Sequence, residues 1–390
     1  MLTRFRTLRL TALIALTALI GASEVSSAFG EELPETVVSP VPTESSTLSS
    51  KFYAIAKSDA LRGAGIVIQS LATKEMIYQS ESATLRAPAS VLKLISMTTT
   101  LTAISPETRF ATKLYSTDKP NKFLLVGEGD PWLTTSIRSA KKNHRAYLPY
   151  LINKIRAANP KLKAIQLDYA NVYGLDLQSI KKFYGRKFKI YPKRLISASA
   201  ENSAKQELMG TIASPPISEM VKFTILWSDN QLANRLAYLA AGKLGLPQTA
   251  DGVQAAFSEV LKRLGISSDG IIIRDGNGLS HETRVSALAI NDLLIAIRSN
   301  PLYQPIYDGL PLSGKSGTLR RRFTKDAPNA VGLIKAKTGW IDSTVSLAGY
   351  LKAGSGEYVF TIIDSDLPNK ESVRAKGRIA IDRLLAALVH

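Results

Sequence analysis

Residues 87–98 read APASVLKLISMT, and the rest of the chain is best understood from this stretch outward. Ser90 and Lys93 stand three positions apart at the head of an apolar run, which predicts a buried helix. Residues at i and i+3 share one face of a helix, so the hydroxyl and the amine can meet. A serine hydroxyl becomes a nucleophile when a base removes its proton, and a desolvated lysine can be that base. The stretch therefore predicts Ser90 as a nucleophile and Lys93 as its base.

The Ser-x-x-Lys pattern is weak when it stands alone, because it recurs along the chain. The other copies are Ser116/Lys119, Ser139/Lys142 and Ser179/Lys182. They lie in a basic middle region and have no apolar helix behind them. Partners elsewhere in the sequence are therefore needed to single out Ser90.

Composition limits the classes of protein that this chain can be. Its 390 residues are 45% hydrophobic and 21% charged, which predicts a large buried core and two domains. The net charge of +18 indicates an anionic environment such as nucleic acid, acidic lipid or acidic wall polymer. Absence of cysteine excludes disulfides and thiol catalysis, and the three histidines show no metal-ligand spacing. We therefore expect neither a metal nor a cofactor.

A secretory signal peptide is predicted over residues 1–28. Three arginines precede the apolar run 10–22, and small residues follow it up to Ala28, where cleavage is expected. The run is shorter than the roughly 20 residues that span a bilayer, so we expect no transmembrane anchor in the mature chain. An exported protein acts outside the cytoplasm, either associated with the cell wall or secreted, and nucleic acid is then not its expected partner. Residues 29–50 are rich in Pro, Ser, Thr and Glu and predict a flexible linker.

The order of elements predicts an α+β fold. Two short strands (GIVIQS and EMIYQS) come first, helices follow, and three strands and an amphipathic helix close the chain. This order indicates one antiparallel sheet flanked by helices. Residues 107–213 have a different character and predict an inserted mixed α/β domain between 51–106 and 214–390. A further strand is expected over residues 271–280 (IIIRDGNGLS).

A basic stretch, residues 177–194, lies inside the predicted insertion. Its cations alternate with aromatic residues: Lys181, Lys182, Arg186, Lys187, Lys189, Lys193 and Arg194 with Phe183, Tyr184, Phe188 and Tyr191. In a cytosolic protein this composition would favour nucleic-acid binding. In an exported one, an anionic wall polymer or a membrane surface is the more specific hypothesis. A solvated basic face with no ligand remains the alternative.

Two further motifs complete a catalytic constellation with Ser90 and Lys93. Ser228-Asp229-Asn230 stands between two predicted helices, and Lys337-Thr338-Gly339 lies on a predicted strand. Each motif alone has a simple structural explanation, a helix N-cap for the first and a strand end for the second. All three motifs in this order, in a chain without a competing site, strongly favour serine acyl transfer.

Each residue of the constellation has a physical role in that chemistry. Burial and a nearby cation, Lys337, would keep Lys93 neutral. Ser228 can pass a proton to the departing amine, and Asn230 can hold a substrate amide. Lys337 and Thr338 can bind a terminal carboxylate. Gly339 lets an extended substrate approach the strand edge. The backbone N–H groups of Ser90 and Trp340 are expected to bind the oxyanion.

The sequence resembles the low-molecular-mass class C penicillin-binding proteins, the D-alanyl-D-alanine carboxypeptidase/endopeptidase family. The resemblance covers about residues 60–390. It rests on the three motifs above and on the segments around and between them. These segments are VGEGDPWL, SPPISEMVKFTILWSDN, RDGNGLSHETRVS, SGTLRRRF and KTGWIDSTVSLAGY. It implies a serine β-lactamase/D,D-peptidase-like fold for residues 51–106 and 214–390. Ser228 follows Ser90 by 138 positions, a separation that matches a trimmed member with one inserted domain.

The resemblance also implies a pocket for the side chain of meso-diaminopimelate. By motif position, Asp130 would bind its amino group, Ser280 and Arg284 its carboxylate, and Ile341 would line the wall. Trp340 stands where a smaller residue is more usual, so we expect its indole to narrow the cleft.

The leading hypothesis is an exported serine D,D-peptidase that acts on peptidoglycan stem peptides through an acyl-enzyme on Ser90. It would cleave the D-Ala–D-Ala bond, a D-Ala–diaminopimelate crosslink, or both, and β-lactams would acylate the same serine. Two alternatives remain: a catalytically weak wall-binding or scaffolding protein that uses the basic inserted domain, and a serine β-lactamase. The long insertion disfavours the lactamase.

Overall fold

The computed structural model describes residues 48–196, 207–354 and 356–389. The predicted signal peptide and most of the predicted linker lie outside these ranges. The last linker residues lead directly into helix α1 (Ser50–Ala56), where the Ser49 side chain accepts a hydrogen bond from the backbone N–H of Phe52. This serine N-cap satisfies one of the free donors at the start of the helix.

The first sheet has five antiparallel strands. They are β1 (Gly65–Ser70), β2 (Met76–Ser80), β8 (Ile334–Ile341), β9 (Thr344–Ala353) and β10 (Gly356–Asp364). Their order is β2-β1-β10-β9-β8, which leaves β8 at one edge. The predicted opening hairpin and closing strands are thus confirmed, and so is the α+β fold class.

Helices cover both faces of this sheet, because side chains of a strand alternate between its faces. Val67 joins one hydrophobic core, whereas its neighbours Ile66 and Ile68 join another. The first core is formed with α2 (Lys93–Ala103), α6 (Ile217–Trp227), α7 (Asn230–Lys243), α8 (Ala250–Arg263), α9 (Ala287–Ser299) and α10 (Gln304–Gly309). The second core is formed with α1 and α11 (Glu371–Ala386).

A second five-stranded sheet lies between α2 and α6 in the sequence. Its strands are β3 (Ala111–Ser116), β4 (Lys122–Gly127), β5 (Ala164–Ala170), β6 (Lys189–Arg194) and β7 (Leu208–Ala213), in the order β6-β5-β4-β3-β7. Strands β4, β5 and β6 are parallel, and β3 pairs antiparallel with β4 and β7. In its described residues, 107–196 and 207–213, three helices accompany the sheet: α3 (Ile137–Asn143), α4 (Leu148–Ala158) and α5 (Gly174–Tyr184). This second sheet and its helices have their own hydrophobic core, as an inserted mixed α/β domain requires.

The strand predicted over residues 271–280 is wrong. This segment is a loop whose β-pairing is limited to one isolated bridge between Ile272 and Arg284. The carboxylate of Asp275 accepts hydrogen bonds from backbone N–H groups that a strand would pair with a neighbour. Such local competition is typical of Asp and favours turns over extended structure.

No helix in the described ranges is both long enough and apolar enough to cross a membrane.

Candidate active site

Ser90 lies in a tight turn immediately before α2. Residues Ala89–Leu92 form a 3-10 helix, and Lys93 is the first residue of α2. In a 3-10 turn, side chains at i and i+3 are stacked one above the other. The Lys93 Nζ accordingly lies 2.7 Å from the Ser90 Oγ. Ala89, just before the serine, has a positive φ of 49°, an uncommon conformation for a residue with a Cβ and one often found at functional sites.

Two further oxygen atoms surround the Lys93 amine. Its Nζ lies 2.8 Å from the Asn230 Oδ1 and 2.6 Å from the carbonyl oxygen of Asn277. Both are acceptors, and a neutral amine has two N–H donors and one lone pair. When both donors are used in this way, the lone pair remains for the Ser90 hydroxyl. In its neutral form, an amine with this geometry can accept the Ser90 proton.

Burial sets the charge of Lys93. The side chain is fully buried, and desolvation lowers the pKa of Lys93 to about 7, although the negative charges of Asp275 and Asp229 raise it. Above this pH the neutral amine predominates. Lys93 can thus act as a base near neutral pH.

Lys337 lies close to Lys93 in the same buried site. Its Nζ donates to the Ser228 Oγ and to the carbonyl oxygen of Thr338, both at 2.8 Å. The pKa of Lys337 lies well below its ordinary value, first because the side chain is completely buried and second because Lys93 is close. Two ammonium groups in one buried site repel each other, so the pair prefers to carry fewer than two positive charges.

Ser228 stands at the junction of α6 and α7 in a left-handed conformation, with φ 57° and ψ 40°. This conformation ends α6 and turns the chain so that Asp229 caps α7, its side chain accepting from the N–H of Leu232. The helix-cap interpretation of Ser-Asp-Asn is therefore right for Asp229. The residues on either side of it, Ser228 and Asn230, contact the two lysines.

Residues 311–313 cover the start of the edge of β8 that does not pair with β9. The N–H of Ala336 points away from β9 and donates to the carbonyl of Pro311. Backbone groups alternate in direction along a strand, so the N–H of Trp340, four residues on, points the same way. The Thr338 hydroxyl, on the same edge, donates to the Thr318 Oγ1 at 2.9 Å.

Gly339 is needed for a reason that the sequence did not indicate. A Cβ at this position would lie 2.0 Å from the Ser346 Oγ and 2.7 Å from the carbonyl oxygen of Pro88. The glycine therefore lets β8 pack against the turn that carries Ser90. Ile341, two residues on and on the same face, packs against Ala87 and Ala89 and is 8% exposed.

The Trp340 side chain lies on the other face of β8, because residues of a strand alternate in direction. Its ring is 39% exposed and lies 5.4 Å from the guanidinium of Arg374 and 5.7 Å from that of Arg378, both on α11. The indole thus does not occupy the face that carries Lys337. The expected narrowing of the cleft on that face is not observed.

The proposed side-chain pocket is not assembled by direct contacts within the described residues. Asp130 is 2% exposed, and its Oδ1 accepts from the N–H of Trp132 at 2.7 Å. Burial raises the pKa of Asp130 to about 7. Ser280 and Arg284 lie on the loop after Asp275, where the Arg284 guanidinium donates to the carbonyls of its own loop. No hydrogen bond or ion pair in this part of the chain joins Asp130 to either residue.

The sequence also gave no sign of the charged cluster around Asp130. Arg235, on α7, makes a buried ion pair with Asp176 of α5 and donates to the carbonyl of Pro131 at 3.1 Å. Arg145 donates to the carbonyls of Trp132 and Leu133. The segment after Asp130 is therefore held between Arg145, which follows it closely in sequence, and Arg235, which lies 104 positions after Pro131.

A cavity of about 420 Å³ opens beside Asn230. Its walls come from the start of α5 with the preceding Tyr173, from the first turns of α7, and from Asn277. The cavity next to Asn230 and Asn277, which contact Lys93, is therefore bounded by α5 of the second sheet and by α7, which packs on the first sheet.

Comparisons with known proteins agree with this architecture. The sequence pattern of the D-Ala-D-Ala carboxypeptidase 3 (S13) family matches residues 48–157 and 188–388. Carboxypeptidase DacB of Mycolicibacterium smegmatis is 34% identical over 182 residues, which are 45% of this chain and 38% of that protein. The D-alanyl-D-alanine carboxypeptidase of Actinomadura sp. (strain R39) is 29% identical over 180 residues, 45% of this chain and 33% of that protein. The chain thus spans less than half of these curated relatives.

Among solved structures, penicillin-binding protein 4 (dacB) from Haemophilus influenzae superposes with a TM-score of 0.64 at 16% identity, covering 82% of this chain and 95% of that one. At 16% sequence identity, this similarity shows a shared fold and nothing further.

Proposed function

Because the chain belongs to the D-Ala-D-Ala carboxypeptidase 3 (S13) family, we propose that it is an exported serine D,D-peptidase that acts on peptidoglycan stem peptides. One observation carries the proposal. The Lys93 Nζ lies 2.7 Å from the Ser90 Oγ while its other contacts are the acceptors on Asn230 and Asn277. An amine in these surroundings accepts the serine proton, which is the first requirement of acyl transfer.

Acylation begins when the Ser90 Oγ attacks the carbonyl carbon of the penultimate D-alanine. The hydroxyl proton moves to the Lys93 Nζ as the new C–O bond forms. The N–H groups of Ser90 and Trp340 bind the resulting oxyanion. The tetrahedral intermediate then collapses, the C–N bond breaks, and the departing amine takes a proton from Lys93 through Ser228. Water later hydrolyses the ester, which releases the shortened peptide and restores Ser90.

Substrate binding uses the edge of β8. The terminal carboxylate is bound by Lys337 and Thr338, a charge-assisted contact. The peptide backbone pairs with the strand edge next to Gly339, and Asn230 binds a substrate amide. The side chain of a diaminopimelate residue is bound by Asp130, Ser280, Arg284 and Ile341. Since Asp130 is buried, this last part requires the carboxyl to become accessible when the substrate arrives.

β-Lactams acylate Ser90 by the same attack, since their ring amide replaces the scissile peptide bond. The adduct is expected to persist. A serine β-lactamase would instead hydrolyse it rapidly, and the second sheet between Ser90 and Ser228 does not favour that activity. Rapid turnover of penicillin would reverse this assignment.

The inserted domain, residues 107–213, is proposed to contact an anionic wall polymer. Seven cations of its basic stretch are exposed: Lys181, Lys182, Arg186, Lys187, Lys189, Lys193 and Arg194. In the described part of the chain none of them forms an ion pair. Phe183 and Tyr191 are exposed beside them, whereas Tyr184 and Phe188 belong to the core of the domain. Loss of salt-sensitive binding to isolated anionic wall polymer on replacing these cations by Gln would support the contact, and unchanged binding would exclude it.

The principal experiment compares wild type with Ser90→Ala. Purified protein is incubated with labelled penicillin and, separately, with a diaminopimelate-containing pentapeptide. Wild type should retain the label and release D-alanine, and Ser90→Ala should do neither. If wild type does neither, the enzymatic function is wrong and a wall-binding role is favoured. If Ser90→Ala keeps both activities, the nucleophile is a different serine.

A further inference from the structure

The loop 275–280 is organised by a single carboxylate. The Oδ1 of Asp275 accepts from the backbone N–H of Asn277 at 3.2 Å and from that of Gly278 at 2.6 Å. Its Oδ2 accepts from the N–H of Ser280 at 2.7 Å. An ionised carboxylate is the strongest acceptor available to backbone amides. Three bonds to one side chain therefore fix the path of this loop.

The same loop is attached to the helices that carry the reacting groups. The Ser96 hydroxyl, one turn after Lys93, donates to the carbonyl of Gly276 at 2.6 Å. The N–H of Gly276 donates to the Asn234 Oδ1 on α7 at 2.9 Å. At Gly278, where φ is 80°, a Cβ would lie 1.9 Å from the carbonyl oxygen of Ala89. The loop thus packs directly against the turn that carries Ser90.

The position of the Asn277 carbonyl decides where the Lys93 lone pair points. One N–H of the neutral amine is directed to Asn230 and the other to this carbonyl, at 2.6 Å. If the carbonyl moved away, Asn230 alone would orient the amine, which could then turn an N–H toward Ser90. A donor facing the hydroxyl cannot accept its proton.

We propose that Asp275 is a positioning residue for acyl transfer: it folds the loop so that the Asn277 carbonyl holds the Lys93 amine with its lone pair toward Ser90. The inference rests on the proposed acylation of Ser90. Asp275 acts through Asn277 and Lys93 and does not touch the substrate.

The negative charge of Asp275 also changes the pKa of Lys93, and this effect can be measured separately from its effect on the loop. The charged groups that face Lys93 are Asp275, Asp229 and Lys337. Both acids raise the pKa of Lys93. Removing either charge therefore lowers the pH below which acylation is lost. Only removal of Asp275 also releases the loop, since Asp229 caps α7 instead.

Three variants separate geometry from charge, with acylation by labelled penicillin measured between pH 5 and 9. Asp275→Asn should lower the maximal acylation rate, the plateau reached at high pH, by about 100-fold, as expected for a misplaced reacting group. It should also shift the acid limb, the fall of the rate at low pH, to lower pH. Asp275→Glu keeps the charge but displaces both oxygen atoms, so it should lower the plateau with little shift of the limb. Asp229→Asn, which remains a good N-cap, should shift the limb while most of the plateau rate is kept.

The wild type provides a test that does not depend on folding of a variant. The amides of Asn277, Gly278 and Ser280 should exchange their hydrogens slowly, because one carboxylate binds all three. Exchange at the rate of an open loop would overturn the proposal. A wild-type plateau rate in Asp275→Asn would overturn it as well. If wild type itself is not acylated, the proposed function has failed instead.

Discussion

Arg235 and Asp176 form a buried two-point ion pair that joins α7 to α5. The two guanidinium nitrogens of Arg235 lie 3.1 and 3.2 Å from the carboxylate oxygens of Asp176, and the two side chains are 8% and 11% exposed. The guanidinium also lies 4.1 Å from the ring centroid of Tyr173. Asn230, which contacts Lys93, is in the first turn of the same α7. This pair therefore connects the second sheet's helices with the helix that helps to position the base.

Removing one partner of this pair should be costly. Arg235→Met leaves the Asp176 carboxylate buried without its cation, and the free energy of unfolding should fall by about 3–5 kcal/mol. The double variant Arg235→Met/Asp176→Leu should recover much of this loss, since no uncompensated charge remains. Chemical denaturation of all three proteins measures the effect. The exposed pair of Arg263 and Glu259 is the control, and Arg263→Ala should change stability by about 0.5 kcal/mol or less. Equal effects of the buried and exposed changes would contradict the prediction.

Acylation should depend on pH with an acid limb near 7. Lys93 accepts the Ser90 proton only when it is neutral, and its pKa is about 7. Below that pH the protonated fraction rises, so the rate should fall about tenfold for each pH unit. Stopped-flow acylation by labelled penicillin from pH 5 to 9 measures the profile. A rate that stays constant down to pH 5 would show that Lys93 is not the base.

Gly339→Ala should disturb both stability and activity. The added methyl meets the Ser346 Oγ and the carbonyl of Pro88 at distances far below van der Waals contact. Overpacking of this kind costs about 1–3 kcal/mol, and relief requires β8 to move away from the Ser90 turn. Thermal melting and penicillin acylation should therefore decline together. Gly354→Ala is the matched control, because nothing lies within 4 Å of a Cβ there. An active, fully stable Gly339→Ala protein would refute the close packing.

Arg284→Ala tests the proposed side-chain pocket. Peptides with a diaminopimelate carboxylate should lose kcat/KM, whereas peptides that lack this carboxylate should be little affected, because only the former need a cation there. Arg274→Ala is the control, since Arg274 lies on the same loop and is paired with Glu282. Equal losses for both kinds of peptide would remove Arg284 from the pocket.

The sequence predicted those parts of the fold that depend on local pattern. The short strand-like runs GIVIQS and EMIYQS and the closing strands identified the first sheet, and the spacing of Ser90 and Lys93 identified their contact. The strand expected at 271–280 failed because its three isoleucines favour extension while the carboxylate of Asp275 takes the backbone donors. The hydrophobic pattern of the sequence indicates the preference of the isoleucines for extended structure, but it does not indicate the hydrogen bonds to Asp275.

Contacts between distant residues that belong to none of the three motifs were beyond sequence reasoning. Nothing in the neighbourhood of Arg235 indicates that its partner stands at position 176, and a backbone carbonyl such as that of Asn277 has no side-chain signature at all. Gly339 was expected to accommodate a substrate, whereas its own protein occupies the space around it. These features arise from tertiary packing between distant segments, which cannot be inferred from a single sequence.

The two exposed tryptophans give the protein a built-in optical reporter. Trp340 follows Gly339 and is 39% exposed against its two arginines, and Trp227 precedes Ser228 and is 42% exposed. The remaining tryptophan, Trp132, is 3% exposed. Both exposed indoles are chain neighbours of site residues, Trp340 of Gly339 and Trp227 of Ser228, so a backbone shift on ligand entry should alter intrinsic fluorescence. Occupancy of the site can then be followed in real time without a label.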